Sequence, residues 1–353
     1  VASGPEGSVY VAGTTSSFSS TSSGYGLIVQ RIDATGRIVW QKAYGLEAHA
    51  TLYSPTALES TEDGGMILAS TAYIPGHENS KGWIIKLDVN GEIEWQRTYD
   101  PGPRNDMITS IVQVQDGGYA VAGWSWSFFG GIWLMKLDQS GNVLWVQDYG
   151  SEYITLPGFV GVTSQGDIYV LSNLLPPPFA NYDTLVLKVG SNGAKKWAFT
   201  YDMSSREIST SATVTPDGGI IIVGYKIVSR NVDDDGWALG LESDGAIAWQ
   251  ANLIGPGIDR AAAIELVPDG TIIVVGETAS FGSGDADGWA VKLNPQRGIP
   301  GCNSVNGIRS FVQRTTPLLG GANAVQIQQT STLFAPTNME TIDTVGAAVG
   351  ICR

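Results

Sequence analysis

The sequence predicts an all-β protein, a single β-propeller of six four-stranded blades. Two observations indicate this: a strand–turn–strand motif recurs about six times, and a tryptophan and a turn glycine keep similar spacing in successive copies. The tryptophans stand 50 to 55 residues apart, at Trp40, Trp95, Trp145, Trp197 and Trp249. A fixed period of this size, built from four short strands, is typical of propellers, in which each repeat is one small sheet.

The repeating motif is clearest at residues 83–99, which read WIIKLDVNGEIEWQRTY. The segment WIIKL is apolar and β-prone, as a buried strand should be. Asp88 and the Asn-Gly pair after it supply turn chemistry, because aspartate binds backbone amides two residues on and Asn-Gly tolerates positive φ. Ile93 and Trp95 then alternate with polar residues, which is the period of a half-buried strand. The motif therefore predicts a hairpin.

A second hairpin precedes each of these, with an Asp-Gly-Gly or similar turn between its two strands. We name the four strands of each repeat A, B, C and D in chain order. Antiparallel pairing places the short A–B and C–D turns at one end of each sheet and the variable B–C loops at the other. Because function is often carried by variable loops on a rigid scaffold, we predict that any binding face lies at the B–C end.

The first and last repeats are incomplete, since repeat one lacks a strand A and repeat six has no recognisable strand D. We therefore divide the chain into propeller repeats at residues 1–300 and a C-terminal tail at residues 301–353. We predict that residues 308–315 supply strand D of repeat six. Residues 323–329 resemble strand A of repeat three, and we predict that they supply strand A of repeat one and close the propeller. In the alternative, a neighbouring molecule donates these strands, which would produce a polymer.

The composition limits the partners of the chain. Its 353 residues are 43% hydrophobic and 15% charged, with a formal net charge of −14 at pH 7. This charge argues against nucleic acid and anionic membrane surfaces, which both attract basic patches. No apolar run approaches the roughly 20 residues that span a bilayer. We therefore predict neither nucleic-acid binding nor a membrane span.

The only two cysteines, Cys302 and Cys352, bracket the tail. We predict a disulfide between them, which would stabilise the fold by roughly 3–4 kcal/mol on the chain-entropy model. Two free thiols are the alternative. Such a pair in an acidic, lysine-poor chain rich in Ser, Thr and Gly is typical of extracytoplasmic proteins, so we expect a secreted or cell-surface location.

The pattern Asp-Gly-Gly, then Gly-Trp-x-x-Lys-Leu-Asp-x-x-Gly-x-x-x-Trp-Gln, resembles the repeat of a broad group of secreted bacterial and archaeal β-propeller proteins. The resemblance covers about residues 7–302 and implies a secreted propeller, without implying an activity. Repeat four departs from it, because Thr184 replaces the strand C tryptophan and Gln165-Gly166-Asp167 replaces Asp-Gly-Gly. The motif is also similar to quinoprotein dehydrogenase repeats, but those are usually shorter, number eight and accompany adjacent cysteines, which this chain lacks.

Aromatic residues in two B–C loops are candidate binding residues. If exposed, they would stack on sugars or anchor a protein partner, because aromatic side chains provide large contact areas. The alternative is that they pack between blades, as most tryptophan and phenylalanine side chains are buried. The candidates are Trp124, Trp126, Phe128, Phe129, Phe179 and Tyr182.

Four aspartates before strand C of repeats five and six are candidate calcium ligands, namely Asp233, Asp235, Asp285 and Asp287. Their spacing is not that of an EF-hand loop and the bidentate glutamate is missing, so we favour a turn-forming role. The two histidines, His49 and His77, lie in predicted connections without a nucleophile elbow or a metal-binding spacing. We therefore predict no catalytic residue and no cofactor, with Ca²⁺ as the one alternative.

These features favour a non-enzymatic extracellular protein with a structural or assembly role, such as a surface-layer component or a filament subunit. The expected partner is a second copy, another extracellular protein or a glycan. The alternative is a carbohydrate- or protein-binding module that uses the B–C end of the sheets. The third hypothesis, a propeller hydrolase or lyase, would require acidic residues to converge at the central channel.

Overall fold

The computed structural model describes most of the repeat region and three short segments of the tail. The described residues are 1–15, 26–45, 51–52, 57–73, 80–100, 106–125, 131–150, 154–175, 181–202, 206–227, 234–253, 257–267, 269–280, 286–293, 312–315, 319–322 and 326–329. Within them, the only regular element that is not a β-strand is one turn of 3-10 helix at Pro5–Gly7. None of these residues belongs to a helix that could cross a membrane.

The chain divides into two compact units. The first unit holds three sheets, formed by residues 1–150 with two segments of the tail. Its first sheet consists of β1 (Ala2–Ser3), β2 (Val9–Thr15), β3 (Gly26–Ile32) and β4 (Ile38–Tyr44). Its second consists of β5 (Thr51–Leu52), β6 (Ala57–Ser60), β7 (Met66–Tyr73), β8 (Lys81–Leu87), β9 (Ile93–Asp100) and β27 (Gln326–Gln329). Its third consists of β10 (Asp106–Gln113), β11 (Tyr119–Ser125), β12 (Ile132–Leu137), β13 (Val143–Gly150) and β26 (Leu319–Ala322).

The second unit also holds three sheets, formed within residues 151–318. The fourth sheet of the chain consists of β14 (Ile154–Val162), β15 (Ile168–Leu175), β16 (Asp183–Val189), β17 (Lys195–Asp202) and β25 (Val312–Thr315). The fifth consists of β18 (Arg206–Val214), β19 (Ile220–Ile227), β20 (Asp234–Leu241) and β21 (Ile247–Leu253). The sixth consists of β22 (Asp259–Leu266), β23 (Ile272–Thr278) and β24 (Asp287–Leu293).

Consecutive strands of each sheet pair antiparallel in the order A, B, C, D. Strand A of the second sheet is split into β5 and β6, and the sixth sheet has strands A to C within the described residues. Six successive small antiparallel sheets of this kind are the blades of a β-propeller, so the predicted fold class is confirmed. We call the sheets blades one to six.

The hydrophobic core lies between neighbouring blades of each unit. Trp83 of strand C is completely buried in a cluster that joins blades one and two, together with Tyr10 and Met66. In the second unit, Trp237 is equally buried between blades four and five and packs with Tyr169. In blades two to five, strand C is buried on both of its faces, which explains why it reads as an almost continuous apolar run.

Strand D of one blade also donates hydrogen bonds to the C–D turn of the next. The indole Nε1 of Trp95 donates to the carbonyl of Gln139 at 3.1 Å, and the Tyr99 hydroxyl donates to the carbonyl of Gly141 at 2.8 Å. The same two bonds are made by Trp40 and Tyr44 toward blade two, and by Trp197 and Tyr201 toward blade five. These bonds explain why the tryptophan and the turn glycine share one period.

The prediction that repeat one lacks a strand A is wrong. Ser3 and Ala2 of β1 pair with Val9 and Tyr10 of β2, so the first blade has four strands. The 3-10 turn at Pro5–Gly7 takes the place of the A–B turn that Pro216-Asp217-Gly218 forms in blade five. A strand of two residues has no periodic pattern, so it cannot be recognised from the sequence.

The tail strands pair with different blades from those predicted, and closure of the propeller by the tail is not shown. Strand β25, expected to be strand D of blade six, pairs with β17 of blade four. Strand β27, expected to be strand A of blade one, pairs with β9 of blade two, and β26 pairs with β13 of blade three. A tail segment that resembles a strand in sequence tends to be extended. The resemblance does not specify which sheet edge the segment pairs with.

Candidate functional site

The structure describes two of the six predicted aromatic residues. Trp124 lies near the end of β11 and is half-buried. Tyr182 precedes β16, is half-buried, and has the guanidinium carbon of Arg206 4.9 Å from its ring centroid, which is a cation–π contact. The other four, Trp126, Phe128, Phe129 and Phe179, lie outside the described residues.

The structure describes two of the four calcium candidates, Asp235 and Asp287. Asp235 Oδ2 lies 2.9 Å from Lys226 Nζ, so an ion pair already compensates its charge. Asp287 is half-buried in β24 opposite Thr278. Neither belongs to a group of three metal-binding side chains within the described part of the chain. The residues Asp233, Asp285, His49, His77, Cys302 and Cys352 lie outside the described residues.

Three buried carboxyl groups form a cluster that is not evident from the sequence. Asp183 begins β16, Asp202 ends β17 and Glu207 lies in β18, and one carboxylate oxygen of each lies within 4.8 Å of the others. The backbone N–H of Glu207 donates to the carbonyl of Tyr182 at 2.9 Å, so this cluster adjoins one of the predicted aromatic residues. Carboxylate oxygens are hard ligands that suit Ca²⁺ or Mg²⁺.

Blade two shows what distinguishes this cluster from the other repeats. Lys81 and Asp100 occupy the positions of Asp183 and Asp202, and they form an ion pair with a distance of 3.4 Å between Lys81 Nζ and Asp100 Oδ2. In blade four an aspartate replaces the lysine, so two carboxyl groups face each other where an ion pair forms in blade two. Alignment of the repeats could have revealed this substitution, but the contribution of Glu207 from the next blade could not be read from spacing.

A second feature of the repeats is a basic residue near the end of strand C. Lys86 and Lys136 are buried, and their ammonium groups lie 2.7 Å and 2.8 Å from the A–B turn carboxylates of Asp63 and Asp116. Burial raises the pKa of Asp63, but hydrogen bonds from Lys86 and from the adjacent turn outweigh burial and hold that pKa below its ordinary value. The charge pair therefore ties strand C to the turn beside it.

Blade five lacks this basic residue, and a cavity lies beside that position. Gly240 of β20 stands opposite Trp249, as Lys86 stands opposite Trp95 in blade two. The cavity measures about 770 Å³ and opens between blades five and six. Its lining consists of Thr215, Pro216, Asp217, Ile221, Gly240, Leu241, Glu242, Ala248, Trp249, Leu266, Val267, Gly270 and Ile272.

Comparison with known proteins does not identify a family. No protein-family model matches the sequence, and no curated protein matches it. Among solved structures, the chain is similar to Sqt1 from Chaetomium thermophilum, with 11% identity, a TM-score of 0.42 and coverage of 89% of this chain and 86% of that one.

Two further solved structures are similar at the same low level. The neuraminidase-like protein of subtype N10 from A/little yellow-shouldered bat/Guatemala/060/2010 shares 11% identity, with a TM-score of 0.40 and coverage of 71% and 87%. A glucose dehydrogenase shares 9% identity, with a TM-score of 0.28 and coverage of 63% and 92%. These values carry no argument about function, so the proposals below depend on the chain itself.

Proposed function

We propose that this protein is an extracellular, non-enzymatic β-propeller with a structural or assembly role, in which outer blade edges accept extended segments of another copy. The observation that carries the proposal is the pairing of three tail segments, β25, β26 and β27, with the strand D edges of blades four, three and two. The outer edge of a sheet presents backbone N–H and C=O groups that pair with any extended chain, and proteins use such strand addition for assembly.

Exchange of tails between copies would preserve these hydrogen bonds. Every copy carries the same three segments and the same three edges, so a tail from a neighbour makes the same ladder as a tail from its own chain. Strands β4 and β21 are also strand D edges, and neither carries an added strand among the described residues. Such edges provide further acceptors, which favours an assembly larger than a dimer.

Photochemical cross-linking between labelled and unlabelled copies tests the proposal. A photoreactive benzoylphenylalanine replaces Ala322, which pairs with Gln147 of blade three, and chains with light and heavy nitrogen are mixed in equal amounts. The proposal predicts cross-links from a light tail to residues 147–150 of a heavy chain. The control carries the photoreactive residue at exposed Ala34 in a C–D turn and should give no such products. Cross-links confined to chains of one label would overturn the proposal.

A binding module is the second candidate function, favoured by the Tyr182–Arg206 contact at the B–C end of the second unit. A half-buried tyrosine with an arginine against its ring offers one apolar face and several hydrogen-bond donors, which suits a glycan or an acidic protein partner. Glycan-array and protein-capture profiles of Tyr182→Ala test this function. If the profiles of Tyr182→Ala and of Trp124→Ala both matched that of the parent chain, neither aromatic residue would be a binding residue.

A further inference from the structure

The strand C position of Gly240 is basic in every other repeat. Arg31, Lys86, Lys136, Lys188 and Lys292 are the residues at that position in the remaining blades. Where strand C carries a buried lysine, its ammonium group contacts acidic or carbonyl oxygens of a turn. Lys188 Nζ, for example, lies 2.8 Å from the carbonyl of Ser243. Blade five has a glycine at this position, so it is the one repeat without a cationic side chain there.

Blade five nevertheless keeps the acidic partner of the missing lysine. Asp217 occupies the A–B turn position of Asp63 and Asp116, and it accepts a hydrogen bond from the Thr215 hydroxyl as Asp63 does from Thr61. Glu242 adds a second carboxylate at the rim of the cavity. Both acidic residues are exposed, and none of the described residues that line the cavity carries a positive charge.

The wall of the cavity suits an alkyl chain that ends in a cation. A Cβ atom built on Gly240 would lie 2.2 Å from Trp249 Nε1, so the indole already fills the space that a side chain at this position would need, and a ligand has to lie against the cavity side of the indole. Leu241, Leu266 and Ile272 provide aliphatic surface beside it. Indole rings attract cations through the negative face of the ring. The chain already holds ammonium groups in this way, since Lys188 Nζ lies 4.8 Å from the ring centroid of Tyr169.

We propose that the cavity beside Trp249 binds an aliphatic primary ammonium group, which brings to Asp217 the positive charge that a strand C lysine brings to the equivalent turn aspartate in blades two and three. The alkyl chain lies against Trp249 and the aliphatic wall, and the ammonium group meets Asp217 and Glu242. The net charge of −14 favours the approach of such a cation. This inference is independent of strand addition between copies, because blades five and six alone form the cavity.

A titration with matched probes tests the charge requirement. The full chain at pH 7 and constant ionic strength is titrated with n-butylammonium chloride and with n-butanol, which has a similar shape without the charge. The indole N–H signal of Trp249, assigned with Trp249→Phe, reports binding. We expect a saturable shift with butylammonium and at least tenfold weaker binding of butanol. Equal binding of the two probes would overturn the proposal.

Variants of the chain test the location. Asp217→Asn and Glu242→Gln should each weaken butylammonium binding at least fivefold. The matched control is Asp116→Asn in blade three, where Lys136 already fills the position, and this variant should bind butylammonium as the parent chain does. Asp217 and Glu242 are both exposed, so neither replacement should prevent folding. Unchanged affinity in Asp217→Asn would contradict the proposal.

The natural ammonium group could belong to a free polyamine or to a lysine of a partner protein. Titrations with 1,5-diaminopentane and with the peptide acetyl-Gly-Lys-Gly-amide separate these sources. Tighter binding of the diamine supports a polyamine, and tighter binding of the peptide supports a protein partner. Acetylation of the lysine Nζ removes its charge and should abolish peptide binding. An acetylated peptide that binds as well as the parent peptide would overturn the proposal.

Discussion

Lys86 Nζ lies 2.7 Å from Asp63 Oδ2, and this contact joins the end of strand C to the A–B turn of the same blade. Lys136 and Asp116 repeat the contact at 2.8 Å in blade three. In each pair the lysine side chain is buried, with 3% and 6% exposure, whereas the aspartate reaches solvent. The carboxylate therefore offsets the cost of removing the ammonium group from water.

The two pairs should differ in their contribution to stability. Lys86 also lies 2.9 Å from Glu94, whereas the corresponding residue of blade three is Leu144, so Asp116 is the one described carboxylate paired with Lys136. We expect Asp116→Asn to lower the free energy of unfolding by about 2 kcal/mol and Asp63→Asn by about 1 kcal/mol, less than for fully buried pairs because both aspartates are partly exposed. Urea unfolding of both variants measures the difference. Equal losses would contradict this account.

These carboxylates also predict how stability depends on pH. Burial opposes ionisation of Asp116, but hydrogen bonds from Lys136 and the Gly118 amide outweigh it and lower its pKa. The stabilisation is therefore present above the unfolded pKa of about 3.9 and is lost as the pH falls through the lower folded pKa. Between about pH 5 and pH 2, Asp116→Asn should lose less stability than the parent chain. If the urea midpoints of Asp116→Asn and of the parent chain changed in parallel with pH, Asp116 would not be the group responsible.

Two turn glycines allow backbone strain to be separated from crowding. Gly36 and Gly91 both have positive φ, at 86° and 73°. A Cβ on Gly36 would meet nothing within 4 Å, whereas a Cβ on Gly91 would lie 2.9 Å from atoms of Trp40 and Tyr44. Gly36→Ala should lower the free energy of unfolding by about 1 kcal/mol, because alanine is strained in the left-handed region. Gly91→Ala should lower it by about 1 kcal/mol more, because its Cβ also crowds Trp40 and Tyr44. Thermal unfolding of the two variants measures this, and equal melting temperatures would show that the contact between blades is looser than described.

The buried carboxyl cluster predicts a stabilising substitution. Asp183→Lys would place an ammonium group beside Asp202, as Lys81 lies beside Asp100 in blade two. Replacing a contact between two buried carboxyl groups by an ammonium–carboxylate pair should raise stability by about 1 kcal/mol. The reverse change, Lys81→Asp, should lower it by a similar amount or more. Thermal unfolding without added divalent cations measures both, and a destabilised Asp183→Lys would show that the cluster differs from its counterpart in blade two.

The strands that could be predicted from the sequence are those whose residue pattern recurs in several repeats. A strand whose pattern occurs only once in the chain could not be predicted. The Trp95 and Gly141 positions share one period because the indole donates to a turn of the next blade, so the hairpins and the fold class follow from spacing. Strand β1 has two residues and no pattern, and it was missed. The edges that receive the tail strands could not be predicted, because backbone pairing at an outer edge is independent of side-chain sequence.

The sequence predicted one residue of the Tyr182–Arg206 contact. It predicted neither the carboxyl cluster nor the cavity beside Gly240. Tyr182 was named for its aromatic ring, but the neighbouring cluster combines Asp183, Asp202 and Glu207 from three strands in two blades, which spacing alone does not bring together. The cavity depends on Gly240, a single exception among aligned strand C residues, and repeat alignment could have revealed it. Both missed sites are departures from the repeat rather than features of it.

The molar mass of the full chain in solution tests assembly through tail exchange most directly. Light scattering over a range of concentrations should show a mass that rises above 37.3 kDa, the mass of one chain. Ile327→Pro in β27 removes a backbone donor from the strand and should shift this rise to higher concentration. A parent chain that stays at 37.3 kDa throughout would contradict the proposed assembly role.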